Sequence, residues 1–188
     1  MQPSSCKRLQ QFCHGYPQLL PLCNHDCNGL RTDTPGSVYS DEEQTLWQAY
    51  EKMTEELGIR DRVIFAGLVS PDRIAEYIAL TDVVAHFSLK EGLPRVAVQA
   101  LAEAKPVVAY PLDGTPEVVL DGKSGFLVPP GNHEAAAQAL IRILEHPDER
   151  RGLGEYGRSL VRDKFPWKKM SDTLIADYEA CLAAKRKK

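Results

Sequence analysis

The chain has 188 residues, of which 43% are hydrophobic, 26% charged and 7% aromatic, and its net charge is -3. That composition excludes collagen-like, coiled-coil and wholly disordered chains and fits one domain with a tail. Lys185, Arg186, Lys187 and Lys188 carry +4, which leaves -7 on residues 1–184, a sign that argues against general nucleic-acid binding. No apolar run reaches the ~18–20 residues of a membrane span. Residues 1–30 lack the apolar centre of a signal peptide, so a cytoplasmic protein is expected. The basic tail would add only weak peripheral contact with the inner face of a membrane.

Residues 1–39 read as a poorly ordered leader, with no sustained period of 3.6 or 2. Cys6, Cys13, Cys23 and Cys27 fall there, and Cys181 stands alone near the other end. An odd count without an export signal predicts reduced thiols. Cys13, His14, Cys23, His25 and Cys27 have the chemistry for zinc, but their spacing matches no finger and no metal is expected.

From Ser40 the pattern is regular. Ser40-Asp41-Glu42-Glu43 is a capping box, Leu46, Trp47, Tyr50, Met53 and Leu57 recur at helical spacing, and Gly58 stops the helix. Arg62–Gly67 reads as a first strand. Ser70-Pro71-Asp72 should restart a helix whose buried face is Ile74, Tyr77 and Ile78. Asp82–Phe87 is a second strand, and Leu93-Pro94 opens a helix to about Ala104. Pro106–Tyr110 is a third strand, Thr115-Pro116-Glu117 starts a short helix, and Gly125–Val128 is a fourth strand. Helices follow over about 132–146, 147–163 and 167–184, the last with Met170, Leu174, Tyr178 and Cys181 or Leu182 on one side. Short apolar strands alternating with amphipathic helices predict an α/β fold, a doubly wound Rossmann-like parallel sheet of about four strands. The expected domain covers residues 40–165, with a C-terminal helix and basic tail over 166–188. Ligands in such sheets bind at the carboxyl ends of the strands.

The loop Ser88-Leu89-Lys90-Glu91-Gly92-Leu93-Pro94-Arg95 joins a strand end to a helix start. Helix amides at that point favour an anion such as phosphate. Gly92 permits close backbone approach. Glu91 is placed to accept hydrogen bonds from sugar hydroxyls. Gln99 lies one turn beyond Arg95 on the same side. Periodicity alone favours a solvated stripe of Glu91, Arg95, Gln99 and Glu103, and it is the surrounding motifs that turn the reading to a site. Glu117 is open between a helix cap and a site residue, and His86 reads as a packed strand residue.

Four fragments carry a resemblance. Glu91-x7-Gln99 is followed by Ala102-Glu103-Ala104-Lys105-Pro106-Val107-Val108-Ala109, then Gly114-Thr115-Pro116-Glu117-Val118-Val119, then Gly125-Phe126-Leu127-Val128-Pro129-Pro130-Gly131. In that order they resemble the C-terminal half of a GT-B glycosyltransferase of the retaining family four, also called group 1. The resemblance covers residues 60–132, and Phe165-x-Trp167 leading to Tyr178 is also typical of that family's C-terminal end.

It implies that Glu91 corresponds to the glutamate contacting the donor sugar, the one catalytic candidate. Gly92, Leu93, Arg95 and Val96 would face the sugar and diphosphate, Gln99 the ribose, and Leu68 and Val69 the base. The donor implied is a UDP-, GDP- or ADP-sugar, with neither cofactor nor metal strictly required. Gln99 departs from the family's second glutamate, and an amide accepts from a hydroxyl without charge, which predicts altered nucleotide binding. Pro94 removes an amide that the family's usual glycine supplies.

The family's basic loop, G-R-x-x-x-x-K-G, does not occur in the chain. Residues 1–59 carry no repeated strand–helix pattern of an acceptor-binding half. The expectation is a truncated donor half-domain, poorly active alone, whose partners are a nucleotide-sugar and a separate acceptor-domain chain. The alternatives are a non-catalytic nucleotide-binding module and a degenerate fragment.

Overall fold

The computed structural model describes residues 41–66, 69–90 and 92–186. In chain order these form α1 (Asp41–Glu56), a 3-10 turn (Arg60–Arg62), α2 (Ile74–Ala79), β1 (Val84–His86), α3 (Arg95–Ala102) and β2 (Val107–Ala109). Then come α4 (Thr115–Val118), β3 (Gly125–Leu127), α5 (His133–Glu145), α6 (Pro147–Lys164) and α7 (Trp167–Arg186). The leader with its cysteines and histidines, and the cap residue Ser40, lie outside the described residues.

The sheet is parallel, in the order β1-β2-β3, with Val84 opposite Val107 and Val107 opposite Gly125. Every residue of β2 is fully buried. Because side chains alternate across a strand, β2 feeds two cores. Val108 packs with Tyr110, Val128, Ala136, Leu140 and Ile143 under α5. Val107 and Ala109 point the other way, to Ile78, Ala97, Leu101, Val118 and Val161 on α2, α3, α4 and α6. Helices therefore cover both faces, as an all-apolar central strand requires.

α1 ends at Gly58, whose φ of +65° closes the helix. Ile59 N–H reaches Thr54 C=O at 2.9 Å and Gly58 N–H reaches Glu55 C=O at 2.9 Å. These are the paired bonds of a Schellman terminus, and the buried Ile59 supplies its apolar contact. Met53 is buried on the same side.

Two expectations need correction. The segment over residues 63–66 is not a strand, so the described sheet has three strands rather than four. Val63 is extended, but its carbonyl accepts from the Arg60 guanidinium at 3.2 Å, and Ile64 is 62% exposed. A strand needs a neighbour's ladder, and here a side chain satisfies that backbone acceptor instead. The second helix also starts later, at Ile74. Ser70 Oγ donates to the Asp72 carboxylate, and Ser70 C=O accepts from Arg73 N–H at 2.9 Å, which makes a turn. The helix begins only after this turn, with Arg73 as its N-cap residue, so Ser70 does not cap it.

Among the described residues, α7 adds none to either core. Met170, Leu174, Ile175, Tyr178 and Leu182 are all more than half exposed. Among the described residues no helix is long and apolar enough to cross a membrane.

Candidate functional site

The carboxyl ends of β1 and β2 deliver two loops to one place. The chain leaves β1 at His86 and enters α3 at Arg95. Pro94 is the N-cap residue, with φ -72° and ψ 91°, and it is fully buried. It makes no side-chain capping bond, and the first turn of α3 holds no acidic residue. The leading amides of α3 thus carry the helix's positive end with no capping oxygen supplied by its own N-cap.

The inner face of α3 is fixed by Ala97, Ala100 and Leu101, each fully buried. The outer face follows from helical spacing. Gly92, Arg95 and Gln99 are exposed, and Leu93 and Val96 are 41% and 45% exposed. Five of the residues singled out in the sequence therefore share one open surface at the sheet's carboxyl edge. Exposed apolar side chains beside a helix start that Pro94 does not cap, and the positive side chain of Arg95, suit a ligand with both a flat apolar part and an anionic part. Earlier in the loop, Ser88 Oγ donates to Lys90 C=O at 3.0 Å.

Glu91 and Leu68 lie outside the described residues. Val69 is half-buried on the segment leading to α2. Glu117 serves a link between elements: its carbonyl accepts from Lys164 Nζ at 2.8 Å, and its carboxylate lies 3.9 Å from the same ammonium.

A residue that pattern reading did not single out as part of the site is Gly114. Its N–H donates to the Gly92 carbonyl at 3.1 Å, which ties the loop after β2 to the loop after β1. Both glycines belong to the motif fragments, so spacing marked them, but their contact across twenty-two residues was not visible in it.

At the opposite, amino edge of the sheet, basic side chains close two helix ends. Lys105 Nζ donates to Ala79 C=O at 2.8 Å at the end of α2, and Arg158 Nε to Ala102 C=O at 3.1 Å at the end of α3. Each places a cation where a helix dipole is negative. On the opposite core, Arg142 lies 4.9 Å from the centroid of the Phe126 ring and bonds Glu149 twice, at 3.0 and 2.6 Å. That hydrogen bond holds the Glu149 carboxyl below its ordinary value and raises Arg142. At the surface, the Ser70 hydroxyl lowers Asp72.

Known proteins are similar to this chain in sequence and fold. The family of glycosyl transferases group 1 matches residues 43–160. The MMP alpha-(1->4)-mannosyltransferase of Mycolicibacterium hassiacum is 36% identical over 134 residues, 71% of this chain and 33% of that enzyme. The D-inositol 3-phosphate glycosyltransferase of Mycobacteroides abscessus is 34% identical, over 72% of this chain and 30% of its own length. Among solved structures, sucrose-phosphate synthase from Thermosynechococcus elongatus superposes with a TM-score of 0.69 at 29% identity, over 80% of this chain and 37% of that one. Anabaena HepE in complex with UDP and glucose has a TM-score of 0.69 at 26% identity, over 74% and 37%. The chain spans about a third of the length of the curated relatives it matches. With its parallel sheet, its motif order and this match over most of its length, the chain belongs to the group 1 glycosyltransferases and has their GT-B Rossmann-like fold.

Proposed function

We propose that the chain provides the donor half of a sugar transfer, binding a nucleotide-sugar at the start of α3. The observation that carries this reading is the surface formed by Gly92, Leu93, Arg95, Val96 and Gln99 at a helix N-terminus whose own N-cap, Pro94, supplies no capping oxygen. In this reading the leading amides of α3 and the Arg95 guanidinium hold the diphosphate, Gln99 accepts from a ribose hydroxyl, and Leu68 and Val69 meet the base. Glu91 orients the sugar. UDP, GDP and ADP are the candidate nucleotides, and HepE, which holds UDP and glucose, supports UDP-glucose as the first donor to try. No cofactor or metal is assigned.

The transfer proposed retains the anomeric configuration. The bond between the anomeric carbon and the phosphate oxygen breaks while an acceptor hydroxyl adds from the same face. The hydroxyl proton passes to the departing phosphate oxygen, leaving a nucleoside diphosphate. Charge develops on that diphosphate, and losing one oriented donor there costs roughly 3–4 kcal/mol. With no G-R-x-x-x-x-K-G run in the sequence, we assign this chain poor turnover alone and full transfer only with an acceptor-binding half.

A second reading, a nucleotide-binding module without catalysis, is favoured by the uncharged Gln99 in place of a carboxylate. Calorimetry with UDP, GDP and ADP tests the shared core of both. Millimolar or tighter binding, abolished in Glu91→Ala with Gln99→Ala, is expected. Binding that survives the double substitution places the nucleotide elsewhere, and no binding to any of the three removes the reading. Release of UDP from UDP-glucose by the chain alone then separates the two, since only the transferase reading allows slow turnover.

A further inference from the structure

The loops after β1 and β2 touch through main chain alone. Gly114 N–H donates to Gly92 C=O at 3.1 Å. A Cβ built at position 114 would stand 2.1 Å from that oxygen and 3.2 Å from its carbon, and 3.5 Å from Leu93 Cα. All three neighbours are backbone atoms, so no flexible side chain can swing aside. Gly114 has φ -78° and ψ -1°, a right-handed conformation open to any residue. The position therefore needs glycine for space and not for backbone freedom.

The two partners are unequally anchored. Behind Gly114, Thr115 is 3% exposed, its N–H bonds Leu112 C=O at 3.0 Å, and Val118 and Val119 are fully buried. This side is part of the core and cannot retreat. On the other side Gly92 and Leu93 face solvent. A methyl group at position 114 would be accommodated by lifting the Gly92 peptide outward, away from the end of the sheet. Only Pro94, two residues on, is fixed by burial.

We propose that Gly114 is a positioning residue that seats the Gly92–Arg95 turn against the sheet end and so sets the site's affinity for a nucleoside diphosphate. Gly114 acts through Gly92 and touches no ligand. The proposal rests on the donor-binding reading above, because the turn it seats is the one assigned to the diphosphate.

The test compares wild type, Gly114→Ala and Gly157→Ala in two measurements. The first is the amide spectrum of the ligand-free protein. The second is the calorimetric Kd for UDP, GDP and ADP, with the melting temperature as reference. Gly157 is a control for ordinary crowding, since its added Cβ would meet only the Leu101 side chain, 2.5 Å from Cδ2. Gly114→Ala should shift the amides of Gly92, Leu93 and Arg95 without ligand and weaken nucleotide binding at least tenfold, with little change in melting temperature. Gly157→Ala should lower the melting temperature and leave Kd within twofold. Unmoved loop amides, or an unchanged Kd in Gly114→Ala, overturn the positioning role while wild-type binding keeps the donor reading intact. Absence of binding in wild type overturns both. Should Gly114→Ala fail to fold, hydrogen exchange of the Gly114 amide in wild type decides. Protection that rises on adding UDP supports the seat, and exchange at the unprotected rate, or protection that UDP leaves unchanged, overturns it.

Discussion

Arg142 and Glu149 bracket the turn between α5 and α6, and their hydrogen bond lowers the Glu149 carboxyl. A group whose folded pKa is depressed adds stability above its ordinary value and loses it as pH falls through the folded value. Glu149→Gln should therefore lower the melting temperature near neutral pH, and the two proteins should converge in acid below the glutamate range. A gap that stays constant into acid would contradict this assignment. Leu101 is the other residue with a sharp consequence. It is fully buried between the sheet and α6, where Gly157 leaves it room. Leu101→Ala should cost about 2–5 kcal/mol in urea denaturation, from lost transfer energy and the cavity left behind. A cost below about 1 kcal/mol would mean the α3–α6 contact is not the core it looks to be.

Among the elements, α6 carries three glycines with different duties. Added Cβ atoms at Gly154 and Gly157 would meet Ala104 C=O and Leu101, whereas at Gly152 one would meet nothing within 4 Å. Gly152 is exposed inside the helix, so Gly152→Ala should raise stability by about 0.5–1 kcal/mol. A loss of stability in the same denaturation assay would show that hidden contacts exist there. Which elements form was largely legible in the sequence. The nearly all-apolar runs at 83–87 and 106–110, short and rich in valine, read as strands between helices, and Asn132 Oδ1 accepts from Ala135 N–H as a cap residue should. The run at 62–66 misled because apolar content says nothing about whether a neighbouring strand is present to complete the ladder. The start of α2 slipped because Ser70-Pro71-Asp72 suits a turn as well as a helix start, and spacing does not choose between them.

At the scale of the molecule, two cores flank one buried strand, and among the described residues α7 adds none to either. Its apolar side chains bury little, so Leu174→Gln with Tyr178→Gln should change unfolding free energy by no more than about 0.5 kcal/mol. A loss near 2 kcal/mol would show that this stripe is covered within the chain. The outline of the candidate surface was legible because Gly92, Leu93, Arg95, Val96 and Gln99 are near neighbours on one loop and helix, where spacing translates directly into a face. The Gly92–Gly114 contact was not, since it joins two loops through main-chain atoms and leaves no pattern in side-chain type. The donor-binding proposal makes that surface a nucleotide site. Its most direct measurement is a titration of UDP into isotopically labelled chain, followed at individual amides. Saturable shifts centred on Gly92, Leu93, Arg95, Val96 and Ala97 are predicted, fading in Gln99→Ala; a spectrum that does not move, or moves only on α5 and α7, would contradict it.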